Sequence, residues 1–341
     1  MNLNENPRVI GLANALALDV IDPVDAIRTY CRQTVEGFLR GLKHVASMEE
    51  LQRIVCVHLN VTVHEVWSDA DVEALARQYL AAGEIIFATL AKQLSPDAYG
   101  VLLRLQKRGR RPCFAAVIDC RGDKHLKRYW TIWHEIAHAL TFVEQSELAL
   151  RRTTESGPAK DPLEQLTDMV ASDFAFFDAL FLPAFHTELN GDNRVSFALA
   201  QRVRQRFCSD ASLASTINAC VTAAPMPTIM IEAGLAYKKS ERARISAGED
   251  GVAPRLRVLK SIPNQAARDA HVHIPKQMRV PLTSVIARVY SDDLETILDR
   301  GTAEENLRDW TTSGGERLTN AKVLIEARRF GDHVLALVTV V

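Results

Sequence analysis

Behind Pro23, apolar residues return every three or four positions at Ala26, Ile27, Tyr30, Cys31, Val35 and Phe38. That spacing predicts a helix starting at Pro23, within a helical stretch over residues 1–45. A second helix is expected from Ser47 through Leu51, Ile54 and Val55 toward Leu59, with the Ser47 hydroxyl as cap and Glu50 reaching back. Val61-Thr62-Val63 reads as a short strand, and Asp71 to Leu94 as helix interrupted near Gly83. From Tyr99 to Asp119 the pattern is a hairpin: Val101, Leu103 and Leu105 alternate, a basic turn runs Lys107 to Arg111, and Phe114 to Ile118 returns. A long helix follows over about Lys124 to Glu144, then a polar loop from Arg151 to Lys160. The next helix opens at Asp161-Pro162, an Asp cap before a Pro whose missing N–H costs nothing at the first helical position.

Helical patterning continues to about Lys239, and the polar stretch Ser240 to Pro254, with Gly248 and Gly251, has linker composition. Beyond it the texture becomes β-rich: Val272, Ile274, Val280, Val285-Ile286, Val289 and the run Val323 to Val341, with a turn at Phe330-Gly331-Asp332. The expected organisation is an N-terminal helical extension (1–46), a main domain (47–239), a linker (240–254) and a small α+β module (255–341). The module reads equally as a sensory or partner-binding part and as a structural appendage. The fold class is α+β.

A chain of 341 residues, 47% hydrophobic and 24% charged, has the composition of a globular protein with room for two domains. Lys and Arg total 41 against 42 Asp and Glu, so no global basic field draws it to nucleic acid or acidic lipid. Direct nucleic-acid binding is therefore not expected. Six scattered cysteines without a CxxC pair read as buried and reduced. The longest apolar run, Phe174 to Phe185, is too short for a membrane span and carries Asp178; Val9 to Leu18 lacks the basic flank of a signal segment. A cytoplasmic protein is expected, and nothing in the sequence assigns a quaternary state.

One motif carries chemistry: His134-Glu135-Ile136-Ala137-His138. On a helix, residues four apart share a face, so two imidazoles can converge on one ion, with Glu135 on the neighbouring face. Zinc suits such a pair, with Mn²⁺ as the alternative. It lowers the pKa of a bound water to about 7, and Glu135 would take that proton as general base. A third ligand is needed. The metzincin pattern would place Gly at 141 and His at 144, where this chain has Thr141 and Glu144. Glu164 on the helix opened by Asp161-Pro162 is the favoured candidate, and Asp168 one turn on could hydrogen-bond a ligand imidazole from behind. Glu164 also stands where a Glu merely closes a capping box, and Glu144, Glu147, Asp168 and Asp173 are rivals.

The stretch Lys127 to Leu140 followed by Glu164-Gln165-Leu166-Thr167-Asp168-Met169-Val170-Ala171 resembles the ImmA/IrrE metallopeptidases, over roughly residues 47–235. That family carries basic residues before HExxH, then a Glu-x-x-Ala-Asn/Asp-x-Phe-Ala helix. The resemblance implies a zincin-like α+β domain, with His134, His138 and Glu164 as ligands, Glu135 as base, and a helix-turn-helix transcriptional repressor as protein substrate. Thr167 departs from the family's Ala, the segment from Glu164 to Pro183 is longer, and the helices from Asp71 to Leu94 look inserted. These departures bear on the substrate more than on the metal. Two further readings are a non-proteolytic regulator that sequesters a repressor and a zinc hydrolase of a small substrate.

Smaller signals complete the picture. Phe114 to Ile118 or its hairpin partner could be an edge strand that pairs with extended substrate. Tyr129, His125 and His186 are candidates for oxyanion stabilisation. His271-Val272-His273 would put two imidazoles on one face of a strand, which reads as structural for want of a third ligand.

Overall fold

A computed structural model describes residues 2–42, 44–106, 113–141, 149–153, 161–249, 251, 253–291, 300–312 and 315–341. Contacts divide the chain into two units, residues 1–181 with 207–212, and residues 182–206 with 213–341. The fold is mixed α+β, with one sheet in each unit.

The first unit begins with helix α1 (Pro7–Ala15), inside the stretch expected to be helical, and α2 (Pro23–Leu39), which starts at Pro23 as the 3.6-residue spacing predicts. Helix α3 (Met48–Leu59) is capped by Ser47, whose hydroxyl accepts from Glu50 N at 3.2 Å. Glu50 reaches back one residue further than expected, accepting from Ala46 N at 2.8 Å. Strand β1 (Val61–Val66) leads into α4 (Asp69–Ala81) and the short α5 (Leu90–Gln93), with Gly83 at φ +90 making the break between them. Then come β2 (Ala98–Arg104), β3 (Phe114–Asp119), α6 (Arg128–Leu140), β4 (Ala149–Thr153) and α7 (Pro162–Ala175). The sheet order is β1-β3-β2-β4, with β1 parallel to β3 and the other pairs antiparallel.

Burial on both faces explains why β3 has six buried residues in succession. One face, with Val101, Leu103, Ala115 and Val117, packs against Val72, Phe87 and Leu90. The other receives α6. Since β2 and β3 are both interior, neither is the edge strand expected for substrate; among the described residues the edges are β1 and β4.

The helix expected from Lys124 starts at Arg128, because residues 122–127 wind as a tighter 3₁₀ turn. That turn is anchored to a buried carboxylate. Asp119 takes Arg121 and Lys124 at 2.8 and 2.7 Å, and the Lys124 ammonium also donates to the Ser95 and Ala98 carbonyls. The basic turn expected at Lys107 to Arg111 lies outside the described residues, as do Glu144 and Glu147.

Helices α8 (Asp178–Leu189) and α9 (Phe197–Phe207) span the boundary between the units. The second unit continues with α10 (Leu213–Ala223), β5 (Thr228–Ala236), α11 (Lys239–Ser246), β6 (Arg255–Pro263), α12 (Gln265–Asp269), α13 (Val285–Ser291), β7 (Arg300–Asn306), β8 (Lys322–Phe330) and β9 (His333–Val340). Its antiparallel sheet runs β6-β5-β9-β8-β7.

Four expectations are corrected here. Thr228 to Ala236 is a strand rather than helix; its first four residues are buried in succession, so they show no alternation that separates the two. That strand pairs with β6 and β9, so a boundary at 240–254 would cut through the sheet, and Lys239 to Ser246 is helical. Val285-Ile286 and Val289 lie on α13, and His271 adopts φ +54, so His271-Val272-His273 is not a strand. The second unit is pinned by Asn264, 2% exposed. Its carbonyl oxygen accepts from Thr228 N and Ala267 N, and its amide donates to the Ala224 and Met226 carbonyls.

The six cysteines are free thiols. Burial pushes Cys31, Cys56 and Cys220 up to about 12 and Cys120 up to about 11, so these four stay protonated. No single helix among the described residues is long and apolar enough to cross a membrane. The run Phe174 to Phe185 is broken between the end of α7 and the start of α8.

Candidate metal centre

Helix α6 is buried from Thr131 through Leu140, because it lies between the sheet and α7. Two imidazoles therefore sit inside the protein, His134 at 1% and His138 at 3% exposure. Helix α7 starts at the expected cap, where the Asp161 carboxylate accepts from Leu163 N at 2.9 Å. Glu164, in its first turn, faces α6. Its two oxygens lie 3.1 Å from His134 Nε2 and 3.3 Å from His138 Nε2, and the two Nε2 atoms are 3.1 Å apart. The three ligand atoms fall within 4.8 Å of one another. The capping-box alternative for Glu164 is thus replaced by a contact with both histidines.

Asp168 stands behind the first imidazole, with Oδ1 at 3.0 Å from His134 Nδ1. A carboxylate only accepts, so it fixes the tautomer with the proton on Nδ1 and the lone pair on Nε2. That lone pair then points at the Glu164 carboxylate and at a second ring nitrogen. Such a meeting of acceptors is favourable only with a proton or a metal cation between them. A tetrahedral ion held at about 2.0–2.1 Å from each ligand would separate ligand atoms by roughly 3.3–3.4 Å. The observed 3.1–3.3 Å spacings fit that group well.

Burial shapes the protonation of this cluster. It pushes His138 below its ordinary value, against the opposing pull of the Glu164 carboxylate, which keeps the ring in its neutral, ligating form. Glu164 is also desolvated, which alone would raise it. Its close contacts with the two imidazole rings outweigh that and hold it far below the usual carboxylate range.

Glu135 is fully buried at 0% exposure and points toward strand β2. A Cβ placed on Gly100 would come within 2.9 Å of its Oε1 and 2.7 Å of Thr131 Cγ2, so the absence of a side chain at Gly100 makes room for this carboxylate. No family profile matches the chain, and no curated protein matches it.

The other sequence candidates lie elsewhere. Asp173 is not a ligand; both its oxygens are taken by Arg28, at 2.6 and 2.8 Å. Tyr129 is buried and donates its hydroxyl to the Ala175 carbonyl at 2.5 Å, a direction away from the two histidines given its five-residue offset from His134. His125 bonds the Gly122 carbonyl, and His186 belongs to the second unit. Sequence reasoning missed Gly100. Its only signal was an isolated glycine inside a strand pattern, a mark of close approach by other groups.

Proposed function

We propose that the chain is a zincin-like metallo-endopeptidase that hydrolyses a peptide bond in a regulatory protein. What carries the reading is the convergence of His134 Nε2, His138 Nε2 and a Glu164 oxygen from two helices, with Glu135 adjacent in the motif. Two neutral nitrogens and one carboxylate make a donor set suited to Zn²⁺, with Mn²⁺ as the alternative. When bound, such an ion supplies Lewis acidity and makes water acidic enough to lose a proton near neutral pH.

The chain's own residues supply the rest. His134 and His138 present lone pairs, Asp168 holds the first ring in its tautomer, and Glu164 adds the negative charge that balances a divalent cation. Glu135 accepts a proton from the attacking water and returns it to the departing amine. The substrate class follows from the likeness of the motif and the α7 helix to the ImmA/IrrE enzymes, and is a helix-turn-helix transcriptional repressor.

The test uses the zinc-loaded full chain with repressors encoded beside its gene, reading fragments by mass spectrometry. Wild type is expected to cut one of them, and Glu135→Gln to keep its zinc while losing cleavage. Equal cleavage by Glu135→Gln would remove the assigned base. Release of the repressor from DNA without any cut would favour a sequestering regulator.

A further inference from the structure

The helix that carries Glu164 is held from behind by the N-terminal helices. On α7, Asp173 lies nine residues after Glu164. At about 100° per residue that is half a turn out of phase, so the two carboxylates face opposite sides of the helix. Glu164 meets the histidines of α6, and Asp173 meets α2, where Arg28 grips it through two parallel bonds at 2.8 and 2.6 Å. Both partners are largely withdrawn from solvent, with side chains 30% and 18% exposed. A bidentate guanidinium–carboxylate pair fixes direction as well as distance. At the other end of α7, Arg8 from α1 reaches Asp161, the capping residue, at 2.6 Å. Between these pairs α1 and α2 pack against α7 with Val9, Ala13, Ile27 and Cys31 at 0% exposure.

We infer that Arg28 is a positioning residue for the metal centre, acting through Asp173 to hold α7 at the setting where Glu164 reaches both imidazoles. The N-terminal helices are then a brace for the third ligand. The inference rests on the metal reading above. It goes beyond it by assigning part of the metal affinity to residues that contact no ligand. Metal sites are sensitive to ligand displacements of about 0.2 Å, so a small drift of α7 is enough to weaken the site.

Co²⁺ titration of the full chain, followed by visible absorption and by competition with a chromophoric chelator, tests it. Arg28→Gln and Asp173→Asn are expected to weaken Co²⁺ binding about tenfold or more, the scale of losing an outer partner. Their spectra should shift toward that of Glu164→Ala. The charge-swapped pair R28D/D173R should recover part of the affinity. Arg202→Gln, which breaks ion pairs to Glu188 and Asp192 in the second unit, should bind as wild type. Should Arg28→Gln fail to fold, Asp173→Asn carries the comparison. Lower melting temperatures with wild-type affinity and spectrum would overturn the inference, leaving an ordinary packing contact. A wild-type chain that takes up no Co²⁺ or Zn²⁺ would remove the metal reading and this inference together.

Discussion

Substituting Gly100 by Ala tests the packing of the general base against the sheet without touching a ligand. The backbone at Gly100 is extended, so an L side chain meets no conformational objection, and removing glycine from a strand would by itself stabilise by about 0.5–1 kcal/mol. Space decides otherwise. The new methyl would stand 2.7 Å from Thr131 Cγ2, 2.9 Å from Glu135 Oε1 and 3.3 Å from the Val117 carbonyl. All three neighbours are buried, and one is backbone. Overpacking of this kind costs about 1–3 kcal/mol, and two contacts under 3.0 Å put it at about 2–3 kcal/mol, which leaves a net loss of about 1–2 kcal/mol. For a unit of this size that lowers the melting temperature by about 2–8 °C. Calorimetry of the metal-free chain measures it. The double variant G100A/T131S, which deletes the closest contact, should recover part of the loss. A Gly100→Ala protein that melts at or above wild type would refute the crowding argument, and with it the claim that this glycine exists to admit Glu135.

Other outcomes follow from the same geometry. Asp168→Asn removes a strong acceptor from His134 Nδ1, and zinc affinity should fall about 10- to 100-fold by chelator competition while the fold is kept. Zinc retention should be flat from pH 8 to 7. It should fall only as pH drops below about 6.5, the ordinary histidine value, since burial holds His138 below it and the imidazoles hold Glu164 lower still. Loss of the ion already at pH 7 would contradict that sign. In the second unit, Asn264→Ala takes the partner from two buried N–H groups and from the Ala224 carbonyl, while the Met226 carbonyl keeps the Thr228 hydroxyl. It should cost about 2–4 kcal/mol in denaturant unfolding.

What the sequence discloses about this protein is its local chemistry. The HExxH pair is legible because four residues make one helical turn, and the α7 start because an Asp cap and a following Pro act within three residues. Glu164 could be weighed against capping but not decided, since the decision lies in how α7 crosses α6, residues whose numbers differ by 30. The brace by Arg28 was invisible for the same reason, its partner lying 145 positions away. Strand β5 hides its period because Thr228 to Ile231 are buried in succession, on both faces, and lose the alternation. Helix α13 was misread because Val285, Ile286 and Val289, all buried, carry β-branched side chains that packing overrides.

The buried thiols have a consequence for handling the protein. In the native state Cys31, Cys56, Cys120 and Cys220 are protonated and shielded, so they do not compete for zinc. Once denatured, all six cysteines and ten histidines become donors open to the ion. Zinc then stabilises by less than its native affinity predicts, because it also binds the unstructured chain. Refolding should proceed best under chelator and reductant, with the ion added last.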